Sequence, residues 1–152
     1  MTLRWIVSAL HLAALAIGFG AIWTRGRALS GSPDRSAIAR ALSADAWWAV
    51  AALLWIGTGL WRLLEATEKP TAYYFANHLF WAKIGMLALI LLLEVWPMVT
   101  LIGWRRRLGR GRAPNIDRAG AFARISVIQA LLILGMIVAS TGMARGYGAV
   151  AP

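Results

Sequence analysis

Residues 79–104 read LFWAKIGMLALILLLEVWPMVTLIGW, and Lys83 and Glu94 are the only charged residues in that run. The stretch is long enough and apolar enough to cross a bilayer, which needs about 20 residues. A charge at the centre of such a helix costs roughly 2.5–3.5 kcal/mol on insertion scales, so it is expected to face a partner, a cofactor or water. Eleven residues along an α-helix turn through about 1100°, which places Lys83 and Glu94 roughly 20° apart on one stripe and about 16 Å apart along the axis. They share a face but are too distant to pair with each other.

Working outward, three more segments have the same character. Trp5–Thr24 is free of charge between Arg4 and Arg25, Ala46–Trp61 lies between Asp45 and Arg62, and Ile125–Ala144 ends at Arg145. Asp45 and Arg62 are expected to snorkel to the interfaces. Turn-forming clusters separate the segments: GSPD at 31–34, KP at 69–70 and GRAPN at 111–115. The pattern predicts an all-α fold, a four-helix transmembrane bundle forming a single integral membrane domain over residues 1–152. The spans are expected at about 5–24, 45–64, 79–104 and 125–144. The first apolar run exceeds the 7–15 residues of a signal-peptide core and is read as a retained span.

Composition agrees. The chain has 152 residues, 60% hydrophobic and only 14% charged, with a mean hydropathy of +0.64. A soluble domain would carry about 25% charged residues. The lack of cysteine excludes disulfides, thiolate metal sites, thiol nucleophiles and covalently attached c-type haem.

Arginine is unevenly distributed. Arg25, Arg27, Arg35 and Arg40 fall around the first connection, and Arg105, Arg106, Arg107, Arg110, Arg112, Arg118 and Arg124 around the third. Arg4, Arg62, Lys69 and Arg145 remain for the opposite side. The positive-inside rule then places both arginine-rich connections in the cytoplasm and both termini on the periplasmic side. The net charge of +10 is read as a collar facing anionic lipids. Nucleic acid is not expected as a partner, because the basic residues abut helix ends. Small-residue faces, such as Ala14 and Gly18, leave room for a homo-oligomer.

With this orientation His11, Arg62, His78 and Lys83 converge on the outer half of the bundle, and Glu94 lies deeper. His11 either bonds a neighbouring helix or holds a ligand. His78, among Tyr73, Tyr74, Asn77 and Trp81, fits an interfacial aromatic belt. His11, Leu15, Gly18 and Ile22 share a stripe on the first span, as do Trp55, Gly59 and Arg62 on the second. Gln129, Met136 and Ser140 align on the fourth.

The run KPTAYYFANHLFWAKIGMLALILLLEVWPMVTLIGWRR (69–106), preceded by DAWWAVAALLWIGTGLWR (45–62), resembles a bacterial family of predicted membrane proteins of unknown function, over essentially the whole chain. More distantly the layout resembles HemJ-type protoporphyrinogen oxidases and CopD-like copper-resistance proteins. HemJ-type proteins carry an early His in the first helix and a Lys in the third, which match His11 and Lys83, while the glycine motif of their second helix is echoed by Ile56–Leu60. The later His of their third helix is absent, and Glu94 falls in that region.

The resemblance implies a b-type haem or a porphyrin in a bacterial inner-membrane protein, possible oxidoreductase chemistry, and the following roles. His11 would be the axial metal ligand. Arg62 and Lys83 would pair with propionates, His78 would lie at the mouth of the site, and Lys83 and Glu94 would be the catalytic pair, with Glu94 in proton relay. Two alternatives stand beside this: a non-enzymatic transport or copper-handling component using His11, Glu94 and Met98, and a structural assembly subunit.

Overall fold

Four long helices and one short one account for the fold of the computed structural model, which describes residues 2–66 and 68–149. They are α1 (Thr2–Leu29), α2 (Arg35–Leu64), α3 (Thr71–Phe75), α4 (His78–Gly109) and α5 (Ala119–Ala144). All but α3 are long and apolar enough to cross a membrane. At 1.5 Å per residue they measure roughly 39–48 Å, against about 30 Å of hydrocarbon.

The helices outrun the predicted spans, and two of the differences matter. α1 does not stop at Arg25 but continues one turn to Leu29. α2 starts ten residues before Asp45, at Arg35, where the Asp34 side chain accepts a hydrogen bond from the Ala37 N–H at 2.7 Å. A carboxylate there satisfies one of the free donors of the first turn. Both charges expected at span ends therefore lie inside helices. Pro97 is also buried within α4, at membrane depth, where neighbouring helices can satisfy the freed carbonyl.

The bundle consists of two hairpins. α1 packs most extensively on α2 and α4 on α5; α1 also meets α5, while α2 scarcely touches α4. Glycines bring α1 and α2 close: a β-carbon at Gly18 would lie 3.1 Å from the Trp48 ring, and one at Gly59 would lie 3.1 Å from the His11 ring. Two apolar cores are stacked along the axis. One contains Ile22, Trp48, Trp55, Ile90, Ile133 and Met136, and the other Leu29, Ile38, Ala41, Leu101, Trp104 and Phe122.

One end of the bundle holds the start of α1, the α2–α4 connection with α3, and residues 145–149. We call it the termini end, and the opposite one the arginine end. At the termini end Asn77 caps α4 by accepting from the Leu79 N–H at 2.9 Å, and its amide donates to the Tyr147 carbonyl at 3.0 Å. The His78 N–H donates to the Gly148 carbonyl at 2.9 Å. Gly148 sits at φ +76°, and a β-carbon there would lie 2.8 Å from Asn77 Oδ1. Only glycine meets both conditions without strain.

Candidate functional site

Between the two apolar cores lies a layer of polar side chains drawn from all four long helices. Arg25 of α1 is its centre and is completely buried (0% exposed). Its Nη1 donates to Asp45 Oδ1 at 2.9 Å and to Glu94 Oε1 at 2.6 Å. Its Nη2 donates to Glu94 Oε2 at 2.7 Å and to Gln129 Oε1 at 2.8 Å. Its Nε donates to Ser126 Oγ at 3.1 Å. A guanidinium has five N–H donors in a planar fork, and each finds an acceptor here.

Glu94 is held bidentately by Arg25, and its Oε2 also accepts from Gln129 Nε2 at 2.8 Å. Gln129 Nε2 donates to the Ile90 carbonyl as well, at 3.1 Å. Asp45 Oδ2 lies 3.7 Å from Arg105 Nη2, and Arg105 also donates to the Leu42 carbonyl.

This arrangement corrects two expectations. Arg25 is not part of the lipid-facing collar. Asp45 does not snorkel; it is 8% exposed and paired with Arg25. Glu94 lies apart from Lys83, as their spacing along the helix implied, and its carboxylate is held by Arg25 and Gln129. Arg25 continues the buried stripe His11, Ala14, Gly18, Ile22 at helical spacing. That spacing was the available signal, masked by the habit of ending a span at its first charge.

The second feature is a cavity of about 470 Å³ toward the termini end, lined by all four long helices and by α3. His11, Leu15, Trp55, Phe80, Met136 and Ile137 supply much of its wall, and Arg62, Glu68, Lys69, Tyr73, Tyr74 and Lys83 most of its polar groups. Three cations thus face one carboxylate. Glu68 pairs with Arg62 at 3.2 Å and accepts from Ser8 Oγ at 3.2 Å. Lys69 Nζ lies 4.1 Å from the Tyr73 ring centroid, and the Tyr73 hydroxyl donates to the Met143 carbonyl at 2.9 Å. Burial pushes the Tyr74 phenol, on the connection between spans, above its ordinary pKa. Lys83 lines the cavity without an ion pair or hydrogen bond among the described residues.

His11 is on the cavity wall, but both ring nitrogens are engaged. The Trp55 indole N–H, which can only donate, points at His11 Nε2 at 3.1 Å. In the neutral ring Nδ1 then carries the proton and donates to Thr58 Oγ1 at 2.9 Å, while the Thr58 hydroxyl donates to the Leu54 carbonyl at 2.6 Å. A metal bound by imidazole needs the lone pair that Trp55 already occupies. The residues here do not fit an axially ligated haem at His11. Among the described residues no three His, Asp or Glu side chains converge as metal ligands.

Of the residues expected to converge, His11, Arg62 and Lys83 do so around the cavity. His78 does not: its side chain is exposed at the start of α4, and its backbone holds the chain end. The residues that sequence reasoning missed as a group are Arg25, Asp45, Ser126 and Gln129.

The chain matches the family model described as "Predicted membrane protein (DUF2214)" over residues 3–148 and belongs to that family. No curated protein and no solved structure matches it.

Proposed function

We propose that this family member is a membrane binding protein whose cavity at the termini end takes an anionic amphiphile, a carboxylate or phosphate on an apolar body. The observation that carries this reading is Lys83, a cation on the wall of a largely apolar cavity with no carboxylate paired to it among the described residues. An ammonium at membrane depth is costly unless it meets an anion or water. Arg62 and Lys69 extend the positive rim, and Tyr73, Tyr74, Ser140 and Thr141 offer further hydrogen-bonding groups. The apolar part of the ligand would lie against Leu15, Trp55, Phe80 and Met136. A porphyrin carboxylate and a lipid headgroup offer the same chemistry to Lys83, so the ligand class rests on the anion and not on a metal.

The test is calorimetric titration of protein in zwitterionic nanodiscs with dodecyl phosphate, laurate and dodecylamine, with haemin followed by absorption as a separate arm. A hydrogen bond to a charged group contributes about 1.5–3 kcal/mol. Lys83→Met is therefore expected to weaken the two anions by about 10- to 150-fold, and dodecylamine is expected not to bind. Haemin binding that depends on Lys83 and not on His11 would identify the anion source as a tetrapyrrole carboxylate. Equal affinity in native and Lys83→Met protein, or preference for the amine, would refute the reading.

A further inference from the structure

Resting on that reading, we infer that the cavity is one end of a transport path and that the Arg25 layer is its closed gate toward the arginine end. The first observation is how the layer divides between the two hairpins. Arg25 and Asp45 belong to the α1–α2 hairpin, whereas Glu94, Ser126 and Gln129 belong to the α4–α5 hairpin. Four of the five hydrogen bonds of the guanidinium cross from one hairpin to the other, and one stays within its own. A single side chain therefore supplies most of the polar adhesion between the hairpins at this level.

The second observation is what remains if the hairpins part. Arg25 keeps Asp45 at 2.9 Å, and Glu94 keeps the Gln129 amide at 2.8 Å. Removing one partner of a buried ion pair ordinarily strands a charge. Here Arg25 keeps a carboxylate when the hairpins part, and Glu94, left with only the neutral Gln129 amide, would meet water at the opened arginine end. Asp45 lies between Arg25 and Arg105, at 2.9 and 3.7 Å, so it stays as a counter-charge to Arg25 whether or not Glu94 is bound.

The third observation is where the two cations lie. Lys83 faces the cavity, and Arg25 lies beyond a floor of buried apolar side chains, Ile22, Ile90, Ala130 and Ile133, that separates it from the cavity along the helices. An anion released by Lys83 would next meet a guanidinium whose bidentate site, vacated by Glu94, fits a carboxylate or phosphate. The sparse α2–α4 contact leaves a seam at which the hairpins can part while α1 and α5 stay packed. Opening at the arginine end would then expose the floor to that side.

The cysteine-free chain allows single-cysteine accessibility measurements in sided proteoliposomes with a membrane-impermeant maleimide. Ser140→Cys reports on the cavity. Ala130→Cys and Ile133→Cys report on the floor, which is sealed in the closed bundle (2% and 0% exposed). Ser140→Cys is expected to label from the termini end and to be protected by dodecyl phosphate. The floor cysteines are expected to label from the arginine end, at least threefold faster with dodecyl phosphate present and faster still in Glu94→Gln. Floor cysteines that stay unlabelled from the arginine end in both backgrounds, while Ser140→Cys is labelled and protected, would overturn the gate and leave the binding reading standing. Loss of protection at Ser140→Cys would overturn both. Using two floor positions keeps the test independent of how either substitution packs.

Discussion

Arg25→Met is the most demanding perturbation the structure offers. The substitution keeps the length and apolar stem of the side chain and removes the guanidinium that donates to Asp45, Glu94, Gln129 and Ser126. Asp45 and Glu94 would then face one another in the bundle, with the Gln129 amide serving one and the half-exposed Arg105 serving the other at 3.7 Å. Removing one partner of a buried pair costs about 3–5 kcal/mol. At about 1.4 kcal/mol per tenfold, the ratio of folded to unfolded protein falls by roughly two to three and a half powers of ten. Arg27→Met, two residues on and exposed, is expected to stay within about 0.5 kcal/mol of the native protein. The assay is reversible unfolding in mixed micelles on titration with sodium dodecyl sulfate, followed by circular dichroism. Adding Asp45→Asn and Glu94→Gln to Arg25→Met should recover most of the loss, because neutral amides can bond to one another without stranding a charge. If Arg25→Met unfolds with Arg27→Met, or the triple variant fares no better than the single one, the account of the layer is wrong.

Other outcomes follow from single contacts. Trp55→Phe removes the indole donor from His11 Nε2 and should cost about 1 kcal/mol; it should also let added haemin acquire a histidine-ligated Soret band that native protein does not develop. Gly148→Ala forces a side chain into a left-handed conformation, at roughly 1–2 kcal/mol, and against Asn77, so limited proteolysis should clip the chain end after Ala144 several times faster. The Asp34 carboxyl is held below its ordinary pKa by the Ala37 N–H and then by the Ser36 hydroxyl. Its support of the α2 start is therefore fully present above the usual carboxylate pKa and lost as pH falls through the lower folded value. Hydrogen exchange at Ala37 and Ile38 should rise through that acidic window and be independent of pH-linked fraying in Asp34→Asn.

The four apolar runs were legible because hydrocarbon demands length and apolarity over the whole span, and those properties are local. Helix ends were not. A charge ends an apolar run in sequence, yet Arg25 and Asp45 lie inside the helix bundle because each supplies what the other lacks. Such compensation is a relation between helices, and no window along one helix contains it. Lys83 and Glu94 share a stripe of α4, but that one face serves two separate sites along its length. His11 and Lys83 do meet at the cavity, as depth alone suggested. What depth could not convey was that Trp55 and Thr58 occupy both nitrogens of His11. The role of His78 was missed because it lies in the backbone, through a contact to residue 148.

The division of the ionic layer between hairpins also bears on how the chain enters the bilayer. The first hairpin to be made carries Arg25 and Asp45 together, so that buried pair can enter with its charges balanced. The second brings Glu94 into hydrocarbon accompanied only by the Gln129 amide. Its charge is quenched when it docks on the guanidinium already waiting in the first. In a solvent where apolar surfaces gain nothing by meeting, that late neutralisation gives the second hairpin a reason to find the first, and gives synthesis a direction: the guanidinium is in place before the carboxylate that needs it is made.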